Sequence, residues 1–151
     1  MEIVRGERAA QEIVGLRETV RMDALSEFFG RAYAVTGAAL ATRGIEPAGP
    51  PVALYTGEVT ETVDIMAGFP VPQGAAPSDD VVAALLPGGP TVEAVHVGSY
   101  DDLGDAYEEV ERWFAEQDVD PGPVMWEEYL VGPESGDDPA QWQTRLVYPL
   151  G

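Results

Sequence analysis

The segment DVDPGPVMWEEYLVG, residues 118–132, has a counterpart earlier in the chain, GIEPAGPPVALYTG, residues 44–57. In each, an acid–Pro turn leads through a Gly–Pro pair into an apolar strand that carries a tyrosine, Tyr129 or Tyr55, shortly before a glycine. The two segments lie about half the chain apart. Self-similarity at that separation predicts an internal duplication.

The first repeat predicts a strand, a helix and a hairpin. Residues 9–22 alternate in part between apolar and charged side chains, which indicates a strand pair or one long half-exposed strand. Asp23 is a good N-cap for a helix of about five turns that ends at Gly44. The runs VALYTGEV and TVDIMAGFPV then have strand composition and a short link, so we expect a β-hairpin.

The second repeat has the same order of elements. VVAALL and TVEAVHVGSY flank a PGGP turn and predict another strand pair, and Asp101 or Asp102 caps a second helix. VMWEEYLV and QTRLVYPL complete it as two strands. The sequence therefore predicts one α+β domain over residues 1–151, built from two βαββ units at about 9–71 and 80–150. We expect an antiparallel sheet with two long helices, pseudo-twofold symmetry and a central ligand cleft.

The charge distribution argues against nucleic acid as a partner. The chain of 151 residues has 8 basic residues, all arginine, against 27 acidic ones, a formal net charge of −19. Residues 1–45 are balanced, so the whole excess lies after residue 45. Affinity for phosphate backbones depends on cationic contacts that are scarce here. An acidic surface that keeps the protein soluble explains most of this charge, and attraction of cationic ligands is the sharper alternative.

Several classes of site are disfavoured. Cysteine is absent, which excludes disulfides and thiolate metal sites and fits a cytoplasmic protein. No N-terminal apolar segment resembles a signal peptide, and the most apolar stretch, residues 32–41, is too short to cross a bilayer. His96 is the only histidine, so a structural role is favoured over a metal site. We expect no metal, no cofactor and no membrane contact.

Two adjacent glutamates, Glu127 and Glu128, interrupt an otherwise apolar strand. Strand alternation places Glu127 and Tyr129 on one face and Trp126 and Glu128 on the other. One glutamate must therefore point inward or into a cleft, unless both are solvated on an edge strand. A buried carboxylate has a raised pKa and can act as a general acid or base or attract a cation.

Aromatic residues accompany this strand. Tyr55, Tyr129 and Tyr148 are candidates to line a pocket, because strand faces alternate and tyrosine offers a polar tip. Aromatic residues on the helical stripes are instead predicted to pack in the core; these are Phe28, Phe29, Tyr33, Tyr107 and Trp113. A carboxylate among aromatic faces suits a cation.

The run AVHVGSYDDLGDAYEEVERWF, residues 94–114, resembles the GyrI-like small-molecule-binding domains of the AraC-type effector-binding superfamily. There an apolar strand with His-x-Gly-x-Tyr precedes an amphipathic helix. GFPV at 68–71, the glutamate-x-tyrosine strand at 127–129 and the final TRLVYPL resemble other signatures of that family. The resemblance covers roughly residues 10–150. Met66 departs from it, since many members have an acidic residue there.

The resemblance implies a duplicated βαββ fold whose central cleft holds Glu127 among aromatic side chains that receive flat, often cationic molecules. The candidate catalytic residues are Glu127, Tyr129 and Tyr148. The candidate ligand-binding residues are Tyr55, Met66, Phe69, Tyr100, Trp126 and Trp142.

Three functions are compatible with this resemblance. The first is a stand-alone protein that binds hydrophobic, planar or cationic xenobiotics, as a monomer or a homodimer. The second is a hydrolase that opens the cyclopropane of DNA-alkylating natural products, with Glu127 as general base and a tyrosine as donor to the oxyanion. The third is a protein that inhibits gyrase or another topoisomerase.

Overall fold

The computed structural model describes residues 1–57, 59–75, 81–132, 136 and 138–150. Within these ranges the chain forms eight strands and two long helices. They are β1 (Ile3–Arg8), β2 (Gln11–Arg21), α1 (Leu25–Arg43), β3 (Val52–Thr56), β4 (Thr62–Pro70), β5 (Val82–Leu86), β6 (Gly89–Val97), α2 (Leu103–Gln117), β7 (Val124–Val131) and β8 (Gln143–Pro149). Short 3₁₀ turns precede α1, α2 and β8. Residues 9–22 thus contain one long strand, β2, rather than a strand pair.

The strands form one antiparallel sheet in the order β1-β6-β8-β7-β3-β4-β2-β5. The order is symmetric about its centre, where β3 of the first repeat pairs with β7 of the second. Each repeat runs strand, helix, strand, strand, which confirms the duplicated α+β fold with two long helices. The expected hairpin of β3 and β4 is also present.

The expected pairing of the two strands around the PGGP turn is wrong. β5 pairs with β2, whereas β6 pairs with β8 and with β1, a strand that the sequence pattern did not predict. Only two residues separate β5 from β6 and β1 from β2, although these strands belong to opposite halves of the sheet. A two-residue link spans only about 10 Å, so the two ends of the sheet must approach each other. The sheet is therefore curled.

Both helices pack on one face of the sheet. Phe28 and Ala32 of α1 contact the β2–β3–β4 half, and Val110 and Phe114 of α2 contact the β6–β8 half. Gly44 ends α1 as predicted, with φ 67° in the left-handed region where glycine carries no steric penalty.

The helix N-termini differ from the predictions. Asp23 makes no capping bond; it lies in the 3₁₀ turn before α1 and pairs with Arg21 at 3.0 Å. At the second helix Ser99, rather than Asp101 or Asp102, supplies the capping side chain, accepting a bond from the backbone N–H of Asp101. The 3₁₀ turn moves the start of each helix beyond the aspartate that the sequence suggests.

On the face opposite the helices, the curl of the sheet brings side chains from both halves together. Its apolar residues form one buried cluster, which consists of Ile13, Val52, Met66, Leu86, Trp126 and Val147. Gly68 of the GFPV motif lies opposite Gly15 on β2, and a Cβ at position 68 would sit 1.9 Å from the carbonyl oxygen of Val14. This glycine therefore serves the close approach of β2 and β4.

No helix in the part of the chain that the structure describes is long and apolar enough to cross a membrane. His96 lies on β6, where Nε2 is 3.0 Å from the carbonyl oxygen of Ser99. The ring is tied to the turn that leads into α2, which is a structural contact. A cytoplasmic location stays a prediction.

Candidate functional site

Glu127 lies on β7, in the middle of the sheet, and faces the two helices. Its partners in the sheet are Ala53 on β3 and Leu146 on β8, both apolar. Only 4% of the residue is exposed. The solvated edge-strand alternative is therefore wrong, because β7 is paired on both sides.

Tyrosine hydroxyls surround the Glu127 carboxylate. Tyr129, two residues along the same strand, donates to Oε1 at 2.6 Å, and Tyr107 on α2 donates to Oε2. The hydroxyl of Tyr55 on β3 also interacts with Glu127 and with Tyr129. Both repeats thus contribute to the site, since Tyr55 belongs to the first and the other residues to the second.

No arginine or histidine among the described residues pairs with Glu127. Burial raises the pKa of Glu127 above its ordinary value, and the hydrogen bonds from Tyr107, Tyr129 and Tyr55 oppose that rise only in part. Burial also raises the pKa of Tyr107 and of Tyr129 well above the usual value. The tyrosines therefore remain donors at neutral pH, around a carboxylate that has no positive partner in the described part of the chain.

Aromatic rings enclose this carboxylate, with Tyr129 at their centre. Its ring lies edge-on to Phe29 and Tyr33 of α1, each at 6.4 Å between centroids, and to Tyr100 at 5.9 Å. Tyr100 in turn contacts Trp142 at 5.0 Å. We call this group, with Glu127, Tyr55 and Tyr107, the aromatic site.

Two further candidates lie beside this group. The Phe69 ring contacts Tyr33 at 5.7 Å, so it forms an outer wall. Tyr148 is on the same sheet face but packs against Phe114 at 5.2 Å within the α2 core. Burial raises the pKa of Tyr148, and its interaction with Glu127 is through charge rather than a hydrogen bond.

Two predicted ligand contacts lie elsewhere, which corrects the sequence-based assignment. Trp126 and Met66 are buried in the cluster on the opposite face of the sheet. Trp126 precedes Glu127 directly, and strand alternation sends successive side chains to opposite faces. Met66 on β4 pairs with Leu54 on β3, and Leu54 pairs with Trp126 on β7. Met66 therefore lies on the same face of the sheet as Trp126. Neither residue can line the aromatic site in this arrangement.

The sequence pattern assigned Tyr107, Phe29 and Tyr33 to the core, and the structure brings all three to the aromatic site. They do lie on the buried helix faces. The missed signal is the hydroxyl: a buried tyrosine needs a partner for its O–H. Tyr33 donates to the Val52 carbonyl oxygen at 2.9 Å, whereas Tyr107 donates to Glu127.

Glu128 is buried as well, 6% exposed, which the sequence pattern did not predict. It faces away from the helices and accepts bonds from Arg8 at 2.7 and 3.0 Å and from Arg145 at 3.0 Å. Arg8 also holds Glu93 through two bonds at 2.9 and 3.0 Å. We call these four residues the ion cluster.

A buried carboxylate with aromatic walls and only hydroxyl donors can attract a cation or take a proton from a bound molecule.

The chain matches the model of the GyrI-like small molecule binding domain over residues 1–150. No curated protein sequence matches it significantly.

Solved structures of other proteins share the fold. The EcmrR C-terminal domain has a TM-score of 0.85 at 18% identity and covers 99% of this chain and 97% of that one. In the EcmrR–DNA complex the chain spans only 57% of the longer EcmrR chain. SAV2435 bound to tetraphenylphosphonium has a TM-score of 0.72 at 15% identity, with coverages of 100% and 94%.

A hydrolase from Listeria innocua has a TM-score of 0.68 at 13% identity, with coverages of 99% and 92%. At these identities the structures show a shared fold, and the family model supplies the membership. The chain belongs to the GyrI-like small molecule binding domain family.

Proposed function

We propose that the protein binds hydrophobic, planar or cationic small molecules in the aromatic site, with Glu127 as the counter-charge. The observation that carries this proposal is the Glu127 carboxylate, which is 4% exposed and faces tyrosine hydroxyls, with no cationic partner among the residues that the structure describes. A ligand cation would supply the missing charge. Family membership supports a small molecule as the ligand, and SAV2435, a protein of the same fold, was solved with tetraphenylphosphonium.

The rings of the site supply the apolar part of the interaction. An aromatic face attracts a cation by about 0.5–1 kcal/mol at an exposed site and by about 2 kcal/mol or more where water is excluded. The rings of Phe29, Tyr33 and Tyr129 contact one another, and Tyr100 contacts Tyr129. A ligand must separate some of them. Tyr100, 37% exposed, is the ring that solvent reaches best, so we expect the ligand to enter beside Tyr100 and Trp142.

Calorimetry with tetraphenylphosphonium tests the proposal. We expect binding by the native protein, and a loss of affinity of about tenfold or more in Glu127→Gln, which is about 1.4 kcal/mol. The matched control is Glu108→Gln, which removes the same charge from an exposed position on α2. Neutral triphenylphosphine oxide should bind more weakly than the cation. Equal affinity of both variants for tetraphenylphosphonium would refute the role of Glu127.

A second candidate is the hydrolase that opens cyclopropanes. It is favoured by the raised pKa of Glu127, since a general base works best with a pKa near the working pH. The water oxygen would bond to a ring carbon as the ring C–C bond breaks, and the electron pair of that bond would move into a carbonyl group of the substrate that is conjugated with the ring. Glu127 would take the proton of the water. A tyrosine would donate to the oxyanion that forms. The best-placed donors are the tyrosines that hydrogen-bond to Glu127, which are Tyr55, Tyr107 and Tyr129. Tyr148 packs against Phe114 instead.

Product analysis separates the two candidates. The protein is incubated with a cyclopropane-bearing alkylator, and ring-opened product is followed by mass spectrometry. Turnover that is lost in Glu127→Gln supports hydrolysis, and stoichiometric retention of intact compound supports binding. The third function, inhibition of a topoisomerase, rests on the acidic surface alone and would require a complex in a pull-down with purified gyrase.

A further inference from the structure

A cavity lies on the face of the sheet that points away from the helices. Its volume is about 320 Å³, at the lower end of the range for small-molecule sites. Its walls come from the link between β1 and β2, the connector before β3, and the strands β5, β7 and β8. Because β7 separates it from Glu127, it is distinct from the aromatic site.

One end of this cavity is formed by the ion cluster. Arg8, Glu128 and Arg145 line it directly. The Glu128 oxygens already accept four hydrogen bonds, from Arg8, Arg145 and the indole Nε1–H of Trp126. Arg8 is likewise occupied, with four bonds to Glu93 and Glu128. Neither group has much capacity left for a ligand.

Arg145 differs, because it donates one hydrogen bond, from Nη1 to Glu128. Its Nε is 3.9 Å from Glu93, which is an ion-pair contact and too long for a hydrogen bond. Most of its N–H groups are thus without an acceptor in the described part of the chain, and its side chain is 34% exposed at the cavity. The spare capacity of this arginine is of the donor type, which fits a carboxylate.

Apart from Gln11, whose amide donates to the carbonyl oxygens of Glu12 and Val71, the other side chains that line the cavity are apolar. The apolar part of the lining consists chiefly of Trp126, Val52, Leu86, Leu130 and two prolines. The four charges of the ion cluster cancel, so a bound anion meets no local excess of negative charge. The acidic surface acts only from a distance, and at physiological salt its field is screened within about 8 Å.

We propose that this cavity is a second ligand site, which takes a small carboxylate with a flat apolar body. The carboxylate binds the free donors of Arg145, and the body packs against the apolar side chains of the walls, over the Trp126 indole, which is 1% exposed. The site is independent of the aromatic site and selects the opposite charge.

The three tryptophans allow a direct test by NMR. The Trp126 indole N–H lies at this cavity and donates to Glu128, whereas that of Trp142 lies near the aromatic site and donates to Gly136. Trp113 stacks against Arg5 and serves as the remote reference. The three indole signals are assigned with Trp113→Phe and Trp142→Phe. We expect phenylacetate to shift the Trp126 signal alone, and benzylamine and benzyl alcohol to leave it in place.

Two variants test the assignment to Arg145. Arg145→Gln removes the donor, and we expect the affinity for phenylacetate to fall about tenfold or more. Ala48→Phe fills the exposed mouth of the cavity without touching the ion cluster, so it should block binding even if Arg145→Gln lowers stability. The control Arg112→Gln removes one positive charge from an exposed position on α2 and should leave binding unchanged.

The proposal is overturned by any of three results. If phenylacetate at millimolar concentration causes no shift of the Trp126 signal, the site does not bind carboxylates. A shift of Trp142 instead of Trp126 would place the compound in the aromatic site. Unchanged binding in both Arg145→Gln and Ala48→Phe would show that the cavity is not the site.

Discussion

Glu127 and Glu128 are neighbours on one strand, are equally buried, and have opposite surroundings. Glu127 faces the helices, receives hydrogen bonds from tyrosines and has no cation beside it in the described structure. Glu128 faces the inside of the curl and is held by two arginines and an indole. One carboxylate is left with an unpaired charge, and the other is fully satisfied.

The difference shows how a central strand can carry two carboxylates with opposite surroundings side by side. Alternation gives each residue its own face, and the residues supplied by that face decide what the carboxylate does. The two arginines lie on strands β1 and β8, and at these positions both strands direct their side chains to the face away from the helices, where Glu128 lies. The tyrosines come from α2, β3 and β7 itself. Burial alone therefore does not mark a functional carboxylate.

The largest expected effect on stability comes from disrupting the ion cluster. Arg8→Ala removes four hydrogen bonds and leaves Glu93 and Glu128 without their main partner. Loss of one partner from a buried ion pair costs about 3 kcal/mol, and we expect a fall of that size in the free energy of unfolding in urea.

The control for this variant is Arg21→Ala. Arg21 pairs with Asp23 at a similar distance, 3.0 Å, but both side chains are at least 70% exposed. Exposed pairs contribute less than about 1 kcal/mol. If the two variants lost the same free energy, the ion cluster would not be the stabilising element described above.

Replacing each glutamate with glutamine in turn tests the difference between Glu127 and Glu128. Glu128→Gln should destabilise the fold by about 2 kcal/mol, because it leaves Arg8 and Arg145 without a full counter-charge. Glu127→Gln should raise the melting temperature at pH 8, because it removes a carboxylate whose charge the fold disfavours. Thermal unfolding at pH 8 checks both signs. Tetraphenylphosphonium affinity should be retained by the first variant and lost by the second.

The sequence predicted much of this arrangement. The alternation in VMWEEYLV placed the two glutamates on opposite faces, and the repeat predicted the duplicated fold. It did not predict the partners of Glu128, since Arg8 lies 120 residues away on a strand without a clear pattern. Nor did it predict Tyr107, because a tyrosine on an amphipathic helix has the same pattern whether its hydroxyl meets solvent or a carboxylate. Such long-range pairings depend on the curl of the sheet, which only a three-dimensional structure shows.

The free energy of unfolding should depend on pH in opposite directions through Glu127 and through Glu93, the second glutamate of the ion cluster. The pKa of Glu127 is raised, so its ionisation favours the unfolded chain, and stability should fall as pH rises from about 4.3 through the raised value. The bonds from Arg8 hold the pKa of Glu93 below its usual range, so its contribution is present above about 4.3 and is lost as pH falls through the lowered value. Urea titrations across pH should show the first slope vanish in Glu127→Gln and the second in Glu93→Gln. A slope that persists in the corresponding variant would assign it to another group.

The smallest expected effect concerns the tyrosines around Glu127. Tyr107→Phe removes a donor to the carboxylate, and since that bond lowers the pKa of Glu127, its loss should raise this pKa further. Cation binding needs the ionised carboxylate, so the affinity for tetraphenylphosphonium should rise with pH and the midpoint of that rise should move upward in Tyr107→Phe. Tyr148→Phe is the matched control, because Tyr148 lies on the same sheet face but packs against Phe114 without bonding to Glu127. Calorimetry between pH 5 and 9 measures both midpoints. Equal shifts in the two variants would mean that Tyr107 acts on Glu127 through packing rather than through its hydroxyl.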